Sequence, residues 1–169
     1  MFINSHLATG YLLYKLNIFE KKWFPIWILS AWIPDIDGFW SSSVVEHHSV
    51  LHTQIFWIVL CSLGWIIGHL QKNINIKTFF IILFIGTFAH LFTDYITART
   101  VGIKWLYPLN DVDYFLYPII PENGDIPIWK MLVPPYLTFY LENKLLTAFE
   151  LLLNIFALVL YFFSLKKPN

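Results

Sequence analysis

From Ile55 to Thr97 the only charged side chains are Lys72, Lys77 and Asp94, so two apolar stretches, 55–70 and 78–97, run almost without interruption. A third fills residues 145–165. Each is near the roughly 20 residues that carry a helix across the hydrocarbon of a bilayer. Only 13% of the 169 residues are charged and 57% are hydrophobic, whereas a soluble domain carries about 25% charged residues. The expected class is therefore all-α: a polytopic membrane helical bundle of about three to five helices, in one domain over residues 1–169. Two shorter apolar stretches, 6–19 and 23–33, precede the long ones and are expected to be partial, tilted or packed inside the bundle. Pro34 is expected to stop the second, because it pushes the preceding residue out of helical geometry.

Residues 98–143 break the pattern. Pro108, Pro118, Pro121, Pro127, Pro134 and Pro135 punctuate them, with Trp105, Tyr107, Tyr114, Tyr117 and Trp129 interleaved. The expectation is an irregular segment at the headgroup level, where Trp and Tyr are favoured. Eleven basic residues cancel eleven acidic ones, which gives no surface for nucleic acid, and the expected partner is the lipid bilayer. The lone Cys61 excludes an internal disulfide and a cysteine-rich zinc site. No cleavable signal peptide is expected, because no basic residue precedes the first apolar stretch. Lys21 and Lys22, Lys72 and Lys77, and Lys166 and Lys167 fall between or after apolar stretches. The excess of positive charge in cytoplasmic loops assigns them to the cytoplasm. Threading the chain accordingly sends His6, the 35–52 connection, the end of the His90 helix and residues 98–143 to the extracytoplasmic side.

An ionisable group in or beside hydrocarbon costs at least a few kcal/mol unless it is paired, wet or metal-bound, yet several gather beside these stretches. His90 and Asp94 are four apart and share a helix face, with Gly86 and Thr97 on nearly the same stripe. They fit a metal site or a hydrogen-bonded pair joining helices equally well. Asp35 and Asp37 lie in a turn at a helix exit, where one carboxylate can ligate while the other orients a histidine; solvated acids are the plainer reading. His47, His48 and His52 form the densest imidazole cluster, and on a continuous helix His48 and His52 would share a face while His47 points away. The pattern is not H-E-x-x-H, which argues against a zincin-type protease. Histidine and aspartate donors suit zinc, with manganese or iron as alternatives. The number of candidate ligands would serve one to three ions.

The ordered set His6-x-x-x-Gly10, Pro34-Asp35-Ile36-Asp37, His47-x-x-x-x-His52, His90-x-x-x-Asp94-x-x-Thr97 and Gly102-Ile103-Lys104-Trp105-Leu106-Tyr107-Pro108 resembles a prokaryotic inner-membrane family of membrane-bound metal-dependent hydrolases. The resemblance covers roughly residues 1–110. It extends distantly to zinc-dependent phospholipase C and related single-strand nucleases. It implies an inner-membrane helical protein whose His and Asp residues bind divalent metal. His48 stands where the family has an arginine, Leu51 replaces a threonine, and two extra residues separate Thr97 from Gly102. On this basis His6, Asp35, His47, His52, His90 and Asp94 are expected metal ligands, with His48 supplementary or an alternative to His47, and Thr97 orienting. Asp37 is the expected general base and Arg99 the expected contact to anionic oxygens. The expected activity is hydrolysis of a phosphoester in a phospholipid-like amphiphile by a metal-bound hydroxide. A transporter or ion-handling protein, and a non-catalytic protein with structural His/Asp contacts, are the alternatives.

Overall fold

The computed structural model describes residues 2–16, 18–98, 101–116 and 127–165. Among these residues the chain is all-helical and contains no strand. The first helix, α1, runs Ile3–Lys15. A 3-10 turn, Lys21–Trp23, leads into α2, Phe24–Ser30, which has a proline in its first turn, where its missing N–H is no loss. Next come a 3-10 stretch, Ile33–Phe39, the one-turn helix α3, Val44–His47, and a 3-10 turn, Val50–His52. Two long helices follow: α4, Gln54–Leu70, and α5, Ile74–Thr97. A 3-10 segment, Ile128–Leu132, precedes α6, Tyr136–Glu142, and α7, Lys144–Leu165.

Helices α4 and α5 form an antiparallel hairpin. The link is so tight that Lys72 takes the left-handed conformation at φ 52°, and the Asn73 side chain accepts from the backbone N–H groups of Asn75 and Ile76 to start α5. Gly64 and Gly68 let the two helices close. A Cβ on Gly64 would run into the Phe80 ring, and one on Gly68 would lie 2.9 Å from the Lys77 backbone nitrogen. Small residues at i and i+4 are the usual means of close helix approach in membranes. Trp57, Cys61, Leu83, Leu91 and Ile103 form the apolar core of this pair.

Helix α5 is the centre of the molecule and packs on α4, α2 and α1, whereas α7 lies outside, against α1 and α6. Gly86 of α5 meets Ser30 of α2 with no room for a Cβ, and a Cβ on Gly10 of α1 would come within 2.6 Å of the Trp27 carbonyl. These two glycines hold α1, α2 and α5 together at one level.

Among the described residues two helices are long and apolar enough to cross a membrane, α5 with 24 residues and α7 with 22. These account for two of the three to five helices expected. Helix α4, with 17 residues, is shorter and sits at the low edge of the roughly 17–25 that span hydrocarbon; α1 and α2, with 13 and 7 residues, are shorter still. The proline-rich segment is only partly irregular. Ile103 and Tyr114 exchange both backbone hydrogen bonds at 3.1 Å as an isolated antiparallel bridge, and α6 is a regular helix.

Candidate metal centre

The chain order of the motifs becomes a spatial cluster because five elements meet at the same place. His6 is on the first turns of α1, and Asp35 and Asp37 are on the 3-10 stretch after α2. His47 closes α3, His52 closes the turn before α4, and His90 and Asp94 are on the last turns of α5. His6, His52 and His90 are fully buried, and Asp94 is 3% exposed.

The connection between α2 and α4 is not a continuous helix. Ser43 caps α3 by accepting from the Glu46 N–H, and the Glu46 carboxylate turns back to Ser42, close to a capping box. The helix ends after one turn at His48, whose ψ of 44° leaves helical geometry. Freed from a common helix, His47 and His52 both turn inward, with ring centroids 4.5 Å apart. The break thus brings His47, an expected ligand, to the cluster, where a continuous helix would have turned it away.

His90 shows what kind of site this is. Its Nδ1 lies 2.9 Å from the Ala31 carbonyl oxygen, which can only accept, so Nδ1 carries a proton and Nε2 is the ring nitrogen left to face the cluster. Nε2 lies 2.9 Å from Asp94 Oδ2, 3.3 Å from His52 Nε2 and 3.5 Å from Asp35 Oδ1. Imidazole nitrogens and carboxylates at such distances repel unless protons or a metal ion lie among them. One proton can bridge a single pair, whereas a metal ion serves all of them together.

The other contacts agree. His6 Nε2 is 3.2 Å from Asp94 Oδ1 and 3.6 Å from Asp35 Oδ2, yet neither nitrogen of this buried ring makes a hydrogen bond. Asp35 Oδ1 is the hub, at 3.3 Å from His47 Nε2 and 3.6 Å from His52 Nε2. Ligand atoms around an ion bound at about 2.0–2.1 Å stand roughly 3.3 Å apart in a tetrahedron, which is the spacing seen here. Two groups have one donor atom per residue within 4.8 Å of one another: His6, Asp35, His90 and Asp94, and His47, His48 and His52. The residues present fit a divalent metal, in donor type and in spacing.

Outer contacts fix the rings, as is usual for metal-binding histidines. His47 Nδ1 lies 2.5 Å from Asp37 Oδ1, so Asp37 sits behind the ring while Nε2 faces the hub. Asp37 Oδ2 has no hydrogen bond and is 3.7 Å from His52 Nδ1. His48 donates from Nδ1 to the Gly102 carbonyl at 3.2 Å and stacks on His52, with centroids 4.7 Å apart. Thr97 turns its hydroxyl into its own helix, donating to the Thr93 carbonyl at 2.9 Å, and so does not donate to a ligand. Arg99 lies outside the described residues. The carbonyls of Ala31 and Gly102 could not be read from the sequence, since any residue type supplies one.

The field in the connecting segment favours a cation. Burial opposes charge on His52, but Asp35, Asp37 and Asp94 outweigh it and push its pKa up to about 9. Burial likewise opposes charge on His47, and the same two neighbours, Asp35 and Asp37, carry it above the ordinary value. His48 has no carboxylate contact; burial, reinforced by the charges of His52 and His47, pushes it down to about 3. For Asp35 burial acts upward, and the surrounding imidazoles, His90 first, hold it well below the usual carboxylate range.

No curated protein and no solved structure matches the chain. The sequence model of the YdjM inner membrane protein family, in contrast, matches residues 1–168. With its long apolar helices and its buried His/Asp cluster, the chain belongs to the YdjM inner membrane protein family.

Proposed function

We propose that this protein is a metal-dependent membrane hydrolase acting on a phosphoester of a lipid or another amphiphile, with its site at the extracytoplasmic end of the bundle. The observation that carries the reading is His90 Nε2, in a ring held at Nδ1 by the Ala31 carbonyl, facing two carboxylates and a second imidazole. His6, Asp35, His47, His52, His90 and Asp94 would hold the metal, zinc being the first choice. A bound divalent ion would lower the pKa of a coordinated water and polarise a phosphoryl oxygen. Asp37 holds the Nδ1 proton of His47 through Oδ1 and has Oδ2 without a hydrogen bond, which suits a proton acceptor. Arg99, just beyond α5, is the proposed contact to anionic oxygens.

The surroundings suit an amphiphile. A cavity of about 220 Å³ opens beside His48, lined also by Val45, Val50, Thr53, Lys104 and Tyr107. Asp111 also lines it and is paired with Lys104. Phe39 and Trp40, which follow Asp37 in sequence, are 76% and 65% exposed, apolar surface suited to lipid. The orientation rests on Lys72, which lies in the α4–α5 link, at the opposite end of that hairpin from His52 and Asp94.

Turnover of short-chain phospholipids and phosphodiester amphiphiles by purified protein tests the reading. Loss of turnover on chelation, recovery with zinc and its absence in His90→Ala are expected. Ion flux in proteoliposomes with no hydrolysis of any phosphoester would overturn the hydrolase in favour of transport.

A further inference from the structure

Helix α7 is apolar along nearly its whole length, yet it carries Glu150 and Asn154, one turn apart on the face that meets α1. Glu150 is 5% exposed. An ionisable group inside a membrane helix is costly and is seldom kept where an apolar contact would serve. Its Oε2 accepts from the Ser5 hydroxyl at 2.7 Å and from the Phe2 N–H at 3.3 Å. Asn154 Nδ2 donates to the Ser5 hydroxyl at 2.7 Å and to the Glu150 carbonyl at 2.7 Å, and the Asn4 side chain donates to Asn154 Oδ1 at 3.1 Å. Every one of these partners on the α1 side lies in its first turn or just before it. The Phe2 side chain does not cap α1, and α7 supplies an acceptor to the start of the helix from outside.

The next residue along α1 is His6. His90, His47 and His48 each have a ring nitrogen held by a carbonyl or a carboxylate, whereas neither nitrogen of His6 is hydrogen-bonded. Its ring stacks on His90 at 3.8 Å, and its place beside Asp35 and Asp94 is otherwise inherited from the backbone of α1. We infer that Glu150 is a positioning residue for the metal centre: reaching from α7, it fixes Ser5 and through it the His6 ligand. The inference rests on the metal reading given above and ties the last helix to a site whose proposed ligands all lie before residue 95.

The test uses cobalt(II) as a spectroscopic probe in the purified full-length protein, comparing wild type with Glu150→Leu, Glu150→Gln, Ser5→Ala and His6→Ala. Glu150→Leu is expected to weaken cobalt binding about 10-fold, the low end for outer contacts of a metal site. Its visible spectrum should move toward that of His6→Ala. Glu150→Gln, whose amide oxygen can accept the same two hydrogen bonds, keeps wild-type affinity and spectrum. Ser5→Ala shifts both in the same direction by less, and carries the test if Glu150→Leu fails to fold. Wild-type affinity and spectrum in Glu150→Leu or Ser5→Ala, with only a lower melting temperature, would reduce Glu150 to a packing contact and overturn the inference. Absence of cobalt uptake by the wild type overturns both the inference and the metal reading beneath it.

Discussion

Helices α5 and α7 are the two long apolar helices of the protein and differ little in length, at 24 and 22 residues, yet they do opposite things. Helix α5 is surrounded by α4, α2 and α1. It buries Thr87, His90, Thr93, Asp94 and Thr97 along one stretch, and its threonine hydroxyls donate to carbonyls of their own helix, so they need no outside partner. Helix α7 exposes Leu151, Leu152, Phe156 and Phe163 and buries polar groups only where it meets α1. Hydropathy alone does not separate the two. What separates them is whether the polar residues on each have somewhere dry to converge.

If the α5 stripe is a cation site, removing the cation has the largest effect. A ligand present at about 1,000 times its Kd stabilises by about 4 kcal/mol. A chelator should therefore lower the melting temperature of the detergent-solubilised protein by several degrees, and zinc should restore it; an unchanged melting temperature would make α5 no different from α7. The next effect is a change of sign with pH. In metal-free protein the folded-state pKa of His52 is raised from 6.5 to about 9, and His47 shifts the same way. That stabilisation is fully present below 6.5 and fades as pH climbs through about 9. In metal-loaded protein, protons compete with the ion for the same imidazoles, so stability grows from acid toward neutral pH. Melting curves across this range with and without zinc should diverge, and parallel curves would speak against a bound ion.

Smaller effects sharpen the comparison. Gly86→Val forces α5 away from Ser30 and should cost about 1–3 kcal/mol, the usual range for overpacking, along with part of the metal affinity, because the Ala31 carbonyl moves off His90. Leu152→Ala on the exposed face of α7 should stay within about 0.5 kcal/mol, read by the same melting assay, and leave metal affinity untouched. A loss there comparable to Gly86→Val would mean that α7 packs against something other than lipid.

The site was more legible in the sequence than the bundle. His6, Asp35, His52, His90 and Asp94 could be picked out because ionisable residues beside long apolar stretches are costly unless something holds them. Their convergence in the structure follows from where α1, α2, α4 and α5 begin and end. His47 was named with them, but the break that aims it was not legible, because the helix stops at His48 without a proline or glycine to announce it. Nor was the Ser5–Glu150 contact, whose partners are 145 residues apart and bear no motif. The number of membrane-crossing helices was less legible, because apolarity does not fix where a helix stops: α4 is apolar but has 17 residues, and among the described residues only α5 and α7 have both the length and the apolarity to cross.

Metal analysis bears most directly on the cation site: the content of wild-type protein purified without chelator, set against Asp94→Ala combined with His90→Ala. At least one divalent ion per chain is expected in the wild type and close to none in the double variant, with both proteins still helical and membrane-extracted. Equal metal content in the two, or none in a wild type given zinc, would rule the site out.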